Sequence, residues 1–375
     1  MKKALAFILT LTMILVMVGC SATTNSGSPA PGSEAASPAE SAAPEGSTAP
    51  EAPADPTAYL KGKTIRVVIG STSVTGDTYL TADLVSRYIS EKYGCNIKVD
   101  PIGAGRALEE IVTTKPDETT IMMFHDMTYL GVLFGAYDAD DYNLDKMIVG
   151  GTFGYNATDC FAASATAPYK TIAEMAQWMS ENPNEIVRLA VEAGGVSQLG
   201  FNSIYEWVRE THGDEVSSRL KAFVTGSTQE KLQALWDGNC QGIYAAATAV
   251  EEYALEGVED QLRINIIGLM SGERYQDKDW PTFAEQGITL DGQPFAFNKE
   301  YFVFYPVGVS DEFIAAMDAA MQEVCSSDAY AADIQNLGFM PQYMGSAEAK
   351  TYIYAKRDSL AALIAEGPNF DDLVG

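Results

Sequence analysis

Short, wholly apolar runs alternate with amphipathic stretches along most of this chain, and that rhythm constrains the fold more than any other feature. "TIRVVIG" (64–70) reads as a strand buried on both faces. It leads into "TYLTADLVSRYISEKYG" (78–94), where Leu80, Leu84, Val85, Tyr88 and Ile89 share one helical face that ends at Gly94. "NIKVD" (96–100), a helix from Arg106 and "TTIMMF" (119–124) continue the pattern. Further on, helical "TIAEMAQWMSENP" (171–183), "QLGFNSIYEWVRETHG" (198–213) and "TQEKLQALWDG" (228–238) alternate with strand-like runs. Those runs are "IVRLAVEA" (186–193), "LKAFVTG" (220–226), "QGIYAAAT" (241–248) and "LRINIIGLM" (262–270). "EYFVFYPVGV" (300–309) is a further strand, and three helical stretches close the chain. Such βαβ order predicts α/β architecture with parallel sheets covered by helices. No internal sequence repeat accompanies it.

The first residues belong to a different regime. "MKKALAFILTLTMILVMVGCSA" has two lysines, an uncharged apolar stretch and small residues around Cys20, the layout of an export signal. It resembles a bacterial lipoprotein signal, with residues 1–20 as the signal segment and Cys20 as the lipidated first mature residue. More than one acyl chain, palmitate among them, would make that anchor stable. Residues 21–58 are almost entirely Ala, Pro, Ser, Gly, Thr and Glu, too poor in apolar surface to offset their ordering entropy, and read as a tether. Residues 59–375 are long enough for two domains with their own cores.

Charge removes several function classes. The chain carries 24 Lys and Arg against 51 Asp and Glu, and without the signal and tether the balance is 22 against 46, or −24. Such a surface repels nucleic acid and anionic headgroups. Cys95, Cys160, Cys240 and Cys325 have no CxxC spacing, and the two histidines, His125 and His212, are far apart, so neither a metal site nor a cofactor is expected. The four cysteines read either as disulfides or as buried free thiols.

In parallel sheets, ligands sit beyond the carboxyl ends of the strands, where loops enter helix N-termini. Those loops are here "GSTSVTGD", "GAGR", "HDMT", "AGGVSQ", "TGSTQ" and "AATAV". Gly, Ser and Thr in them offer backbone N–H groups and hydroxyls to an anion. The candidate ligand-binding residues are therefore Ser71, Thr72, Ser73, Thr75, Gly76, Asp77, Gly103, Gly105, Arg106, His125, Asp126, Gly195, Ser197, Gln198, Gly226, Ser227, Ala246 and Thr248. Strand-to-helix turns also favour these residue types for capping alone.

"KTIRVVIGSTSVTGDTYLTADLVSRYISEKYG", "VDPIGAGRALEEIVTTKPDETTIMM", "PYKTIAEMAQWMSENPNE", "GGVSQLGF", "TGSTQEKLQALWDGNCQGIYAA" and "DWPTFAEQGI" lie in one order along the chain. Together they resemble landmarks of the substrate-binding proteins of tripartite tricarboxylate transporters, the Bug family. The resemblance covers essentially the whole body. It implies two α/β domains of the type II periplasmic-binding-protein kind with a ligand cleft between them, crossing near "GGTFGYNATD" and residues 298–301. Domain one is then 59–155 with 298–375, and domain two 156–297. The resemblance also implies a small organic acid as cargo and a separate membrane transporter as partner; the signal-like N-terminus places the chain on the outer face of the cytoplasmic membrane, and a monomer is expected. Two departures stand out: "STSVTGD" replaces a Pro-Pro-Gly-Gly loop, and Arg106 replaces the glycine after Gly-Ala-Gly.

A dinucleotide fingerprint in "IGAGRALEEI" would need glycine at Leu108, and a P-loop would need Gly-Lys-Ser/Thr where the chain has Gly-Arg-Ala. The reading that remains is a carboxylate held by the amides of Gly105 and Arg106, with the Arg106 guanidinium adding to it or instead pairing with Glu109 or Glu110. Asp77 is either a hydroxyl or ammonium anchor or the N-cap of the following helix. Tyr79, Tyr129, Tyr155 and Tyr244 sit near strand ends. His125 beside Asp126 suggests a catalytic pair, but no Ser or Cys elbow accompanies it. A binding protein without catalysis is the expectation; a sensory receptor and a surface enzyme using the same cleft are the alternatives.

Overall fold

The computed structural model describes residues 55–375 apart from Asp291. The signal segment, Cys20 and most of the tether lie outside the described residues.

A short helix, α1 (Pro56–Leu60), leads into β1 (Thr64–Ile69), α2 (Asp77–Tyr93), β2 (Asn96–Pro101), α3 (Ala104–Thr113) and β3 (Thr120–His125). Then come α4 (Met127–Leu133), α5 (Ala139–Tyr142) and β4 (Met147–Asn156). The second lobe follows with β5 (Asp159–Ser164), α6 (Ile172–Glu181), β6 (Val187–Val191), α7 (Val196–His212), α8 (Asp214–Ser217) and β7 (Leu220–Val224). It continues through α9 (Thr228–Trp236), β8 (Gly242–Ala246), α10 (Ala247–Val250), β9 (Ile264–Leu269) and a small ribbon of β10 (Thr289–Leu290) and β11 (Gln293–Pro294). The chain then returns through β12 (Lys299–Pro306), α11 (Asp311–Cys325), α12 (Asp328–Asn336) and α13 (Ser346–Glu366).

The two main sheets share one topology. The first runs β2-β1-β3-β12-β4 and the second β7-β6-β8-β5-β9, so each has three parallel strands, then one antiparallel strand, then a last strand outside it. In each sheet the antiparallel strand is the one that enters from the other lobe: β5 just after β4, and β12 just after the ribbon. The chain therefore passes between sheets at 156–159 and again before Lys299, and the two passages pair as Lys299 with Asn156 and Glu300 with Tyr155.

Strand β1 shows why helices cover both faces. Ile65, Val67 and Ile69 pack with Leu84, Val85 and Ile89 of α2 and Phe313 of α11, whereas Val68 packs with Ala107, Leu108 and Ile111 of α3. That is the period of two expected of a strand. Arg66, on the α3 side, pairs with Asp100 at 2.8 Å and Glu110 at 2.7 Å. A single apolar cluster extends from Phe124, Tyr129 and Leu130 of the first lobe to Val191, Val196 and Phe201 of the second. Cys95, Cys160, Cys240 and Cys325 are buried free thiols, and burial pushes the Cys240 and Cys325 thiols up to about 12, so they behave as small apolar residues.

The C-terminus does not stay with the first lobe. Helix α13 packs on β4, but Leu373 and Gly375 then hydrogen-bond to Ala222 of β7, and Phe370 meets Phe201 edge-on at 6.2 Å. Residues 298–375, grouped from sequence as one block of the first domain, thus end on the sheet edge of the second. The driving force is local: β7 is an edge strand with unpaired backbone groups, and the tail supplies partners for them.

Candidate functional site

At the crossing, a buried lysine joins acids from both lobes. Lys299 opens β12, its side chain is 7 % exposed, and its ammonium lies 2.5 Å from Asp77 Oδ2 and 3.3 Å from Asp159 Oδ1. Asp77 is the first residue of α2, with Gly76 as N-cap, so its negative charge sits where the helix dipole favours it. Its Oδ1 accepts from the Thr78 amide at 2.7 Å, while Oδ2 also accepts from the Tyr301 hydroxyl at 3.0 Å. The N-cap is thus Gly76 and not Asp77 as the sequence reading allowed; the Asp77 carboxylate instead anchors the Tyr301 hydroxyl and the Lys299 ammonium. Asp159 begins β5 and accepts from Asn156 Nδ2 at 3.0 Å.

Burial and charge set the protonation states. Burial works against ionisation of Asp77, but Lys299, His125 and the Thr78 amide together outweigh it and hold the carboxyl below its usual range. Burial raises Asp159, with Lys299 opposing. For Lys299, burial lowers and the two carboxylates raise, with a net upward shift that keeps it charged. His125 lies beside this cluster. Burial, reinforced by Lys299, pulls its imidazole down to about 3, so it is neutral at physiological pH, with Nδ1 accepting from the Met127 amide at 3.2 Å.

Asp126 points the other way, as consecutive strand-end residues do. It accepts from the Tyr129 hydroxyl and Lys356, both at 2.8 Å, and from the Glu300 amide at 3.0 Å. Lys356 also contacts Glu300 and lies 3.8 Å from the centre of the Phe297 ring. Burial, together with Asp126, pushes Glu300 up to about 7. His125 and Asp126 therefore serve separate networks and do not form an acid–base pair.

The candidate loops divide into groups. Ser71, Ser73 and Thr75 hold one another: the Ser73 amide donates to Ser71 Oγ at 3.0 Å and the Thr75 amide to Ser73 Oγ at 3.2 Å. Thr72 is exposed, with its methyl against Gly103. Gly103 adopts φ +89° and donates its amide to the Ser71 carbonyl at 3.1 Å, tying the first two loops together; a side chain there would be strained and crowd Thr72. Helix α3 starts at Ala104, two residues before the sequence reading placed it, which puts Arg106 in its first turn. Arg106 and Gly105 are exposed, Arg106 has no ion pair with Glu109 or Glu110 among the described residues, and Glu110 pairs with Arg66 instead.

On the second lobe, Ser197 and Gln198 are buried and brace their own loop: Ser197 Oγ bridges the Glu192 amide and carbonyl, and Gln198 Oε1 accepts from Gly194 at 2.6 Å. Gly195 is the N-cap of α7 and packs against Met127 of the first lobe. Gly194, at φ +77°, meets Ala136 so closely that a Cβ would lie 2.7 Å from the alanine methyl. Gly226 and Ser227 are exposed, and Ser227 forms a capping box with Glu230. Ala246 is the N-cap of α10, and Thr248 meets Thr158 at 3.3 Å, hydroxyl to hydroxyl.

Sequence reasoning missed Lys299, the centre of the cluster, and left Asp159 among residues merely near strand ends. Their one sequence signal was a charged residue at each predicted crossing. It also missed Lys231, which is buried, pairs with Glu192 at 3.1 Å and lies 5.3 Å from the centre of the Tyr244 ring.

Two lobes of matching strand order, joined by paired crossing strands with a charged cluster at the junction, define the two-domain periplasmic-binding-protein fold. Solved structures with this fold that the chain resembles are solute-binding proteins of the tripartite tricarboxylate kind. Rpa4515 of R. palustris, solved with adipate, superposes with a TM-score of 0.67 at 16 % identity, covering 81 % of this chain and 98 % of that one. MatC from Rhodopseudomonas palustris with bound malate gives 0.62 at 18 %, covering 80 % and 99 %. The periplasmic binding protein BugD gives 0.62 at 16 %, covering 81 % and 96 %. No protein-family model matches the sequence, and no curated protein matches it.

Proposed function

We propose that the chain belongs to the tripartite tricarboxylate solute-binding proteins. In this reading it is a lipid-anchored receptor outside the cytoplasmic membrane that captures a small carboxylate and passes it to a separate membrane transporter. The observation that carries the reading is the junction of Asp77, Asp159 and Lys299, one acid from each lobe bridged by a buried cation on the crossing strand. Closure of the lobes completes such a site, and a ligand that contacts both lobes favours the closed state.

The neighbours solved with adipate and malate support a carboxylate as cargo. The helix starts at Gly103 and Gly195 supply amides for it, as in the sequence reading of "GAGR". Of the candidate residues, Ser71 to Asp77, Gly103 to Arg106, His125 and Gly195 to Gln198 border the junction in this proposal. Asp126 acts in the Lys356 network instead, and Gly226 and Ser227 stand apart in their capping box. The signal-like residues 1–20 support export, and Cys20 supports the anchor. No helix among the described residues is long and apolar enough to cross a membrane.

The test is mass spectrometry of small molecules released from the purified protein, with a thermal-shift screen of organic acids on wild type and Arg106→Ala. A ligand at about 100 times its Kd adds about 2.7 kcal/mol of stability, several degrees for a chain of this size. An absence of any stabilising acid at such excess overturns the receptor reading. An acid whose effect is the same in Arg106→Ala keeps it and removes Arg106 from the site.

A further inference from the structure

A cavity lies at the pole of the second lobe opposite the junction. Strand β5 starts at Asp159, beside Ala246, and ends at Ser164, beside Ile264, so Ser164 stands about 16 Å farther along the sheet. Around that end, the loop before α6, the last turn of α9 and the residues leading into β8 and β9 surround a space of about 380 Å³. That is within the range of small-molecule sites.

Three aromatic rings set its character. Tyr169 and Trp178 sit 5.8 Å apart, centre to centre. Trp236 is fixed by its indole N–H, which donates to the Leu262 carbonyl at 3.2 Å, and by the edge-on ring of Tyr253 at 5.2 Å. Both indoles are half-buried, so flat apolar surface is held in place and still reached by solvent. A ring already fixed loses little freedom when a ligand lies on it.

The polar groups are neutral and only partly used. Among the described residues none that lines the cavity is charged, in a chain of net charge −27. Gln241 gives its carbonyl oxygen to the Arg188 amide at 2.9 Å, and its own N–H groups have no partner among the described residues. Gln261 donates to Glu259 at 2.9 Å and keeps its carbonyl as an acceptor. A group that accepts from an amide N–H and donates to an amide carbonyl is a hydroxyl. A C–H face with hydroxyls around its edge is the chemistry of a pyranose ring. A quaternary ammonium suits the aromatic rings but makes no hydrogen bonds, a carboxylate meets no cation here, and a bare aromatic leaves the amides unmatched.

We infer that this cavity binds a neutral sugar, stacked against the indoles of Trp178 and Trp236 with its hydroxyls on Gln241 and Gln261. It is separate from the proposed carboxylate site, and the two fill independently.

Titration calorimetry of the purified protein with glucose, N-acetylglucosamine and the disaccharides of each tests this, with choline as the cationic probe and indole as the flat apolar one. At least one sugar is expected to bind with a Kd in the millimolar range, which suits a ring of about a dozen heavy atoms, and to shift the tryptophan emission. Trp178→Leu and Gln241→Glu are expected to weaken that sugar about tenfold or more. Gln241→Glu keeps an oxygen for the Arg188 amide and loses the N–H donors, so the test survives if Trp178→Leu does not fold. No sugar bound at about 50 mM overturns the inference, as does binding of choline or indole without any sugar. Sugar affinity unchanged in both folded variants puts the sugar elsewhere on the molecule and overturns it as well.

Discussion

His125 supplies the most direct physical test of the junction. Its imidazole is drawn from 6.5 to about 3, with burial the larger cause and the Lys299 charge the next. A depressed histidine stabilises the fold fully above the unfolded pKa and loses that contribution as pH falls toward the folded one. Between about pH 7.5 and about pH 5 the unfolded chain takes up a proton that the native site refuses, at about 1.4 kcal/mol per pH unit, for a loss of up to about 2 kcal/mol. Glu300 works in the opposite direction. Raised from 4.5 to about 7, it contributes stability that is full below 4.5 and fades as pH rises through about 7, so the two partly cancel in the wild type. The variant His125→Asn separates them: its amide oxygen replaces Nδ1 as acceptor for the Met127 amide and carries no charge. Urea unfolding of both proteins at the two pH values gives the difference, with His212→Gln as control for the other imidazole. All four tryptophans, Trp178, Trp207, Trp236 and Trp280, lie in the second lobe, so far-UV circular dichroism must accompany fluorescence to follow the lobe that holds His125. The expected gap between wild type and His125→Asn changes by about 2 kcal/mol across the window, the wild type losing more on acidification. A gap that stays constant refutes a neutral, embedded imidazole at this position.

Lys299→Met leaves Asp77 and Asp159 buried without their cation and is expected to cost about 3–5 kcal/mol in urea unfolding; a loss below about 1 kcal/mol would show the bridge to be solvated. Gly194→Ala places a methyl against Ala136 of the opposite lobe, so small-angle scattering with ligand is expected to show a more open particle and calorimetry a weaker affinity, beyond the strain of about 1 kcal/mol at positive φ. Phe370→Ala removes the ring packed on Phe201 and is expected to destabilise the second lobe by about 1–2 kcal/mol, read as faster amide exchange at Ala222.

The α/β class was legible because a strand with helices on both faces must be apolar at nearly every position, as in "TIRVVIG" and "TTIMMF". Periodicity did not show strands β4 and β5, although the family resemblance placed a crossing at "GGTFGYNATD". "MIVGGTFGYN" is half small or polar because β4 is pressed from both sides: a side chain on Gly150 would strike Tyr305, and one on Gly151 the Met344 carbonyl. Packing selected small residues there and erased the periodicity. The loops were legible as a set, since Gly and Ser mark helix starts whether or not a ligand follows. The junction was not. Lys299 meets Asp159 across 140 residues of chain, a contact that depends on the register between β12 and β4 and is marked in the sequence only by a charge at each crossing.

The position of β12 also dictates the order in which the molecule can be completed. It lies between β3 and β4, so the first sheet lacks the strand that joins those two until residues beyond Lys299 have been synthesised. The second sheet is built from one uninterrupted stretch, β5 to β9. A chain emerging from its N-terminus therefore completes the five strands of the later sheet first, its β7 edge waiting for residues 373–375. The earlier lobe waits with β3 and β4 unjoined, and its distant pairing sets the slow step. In refolding, the tryptophan signal of the second lobe runs ahead of the tyrosine-rich first, and the lobes acquire a seam to close over only once β12 has slotted in.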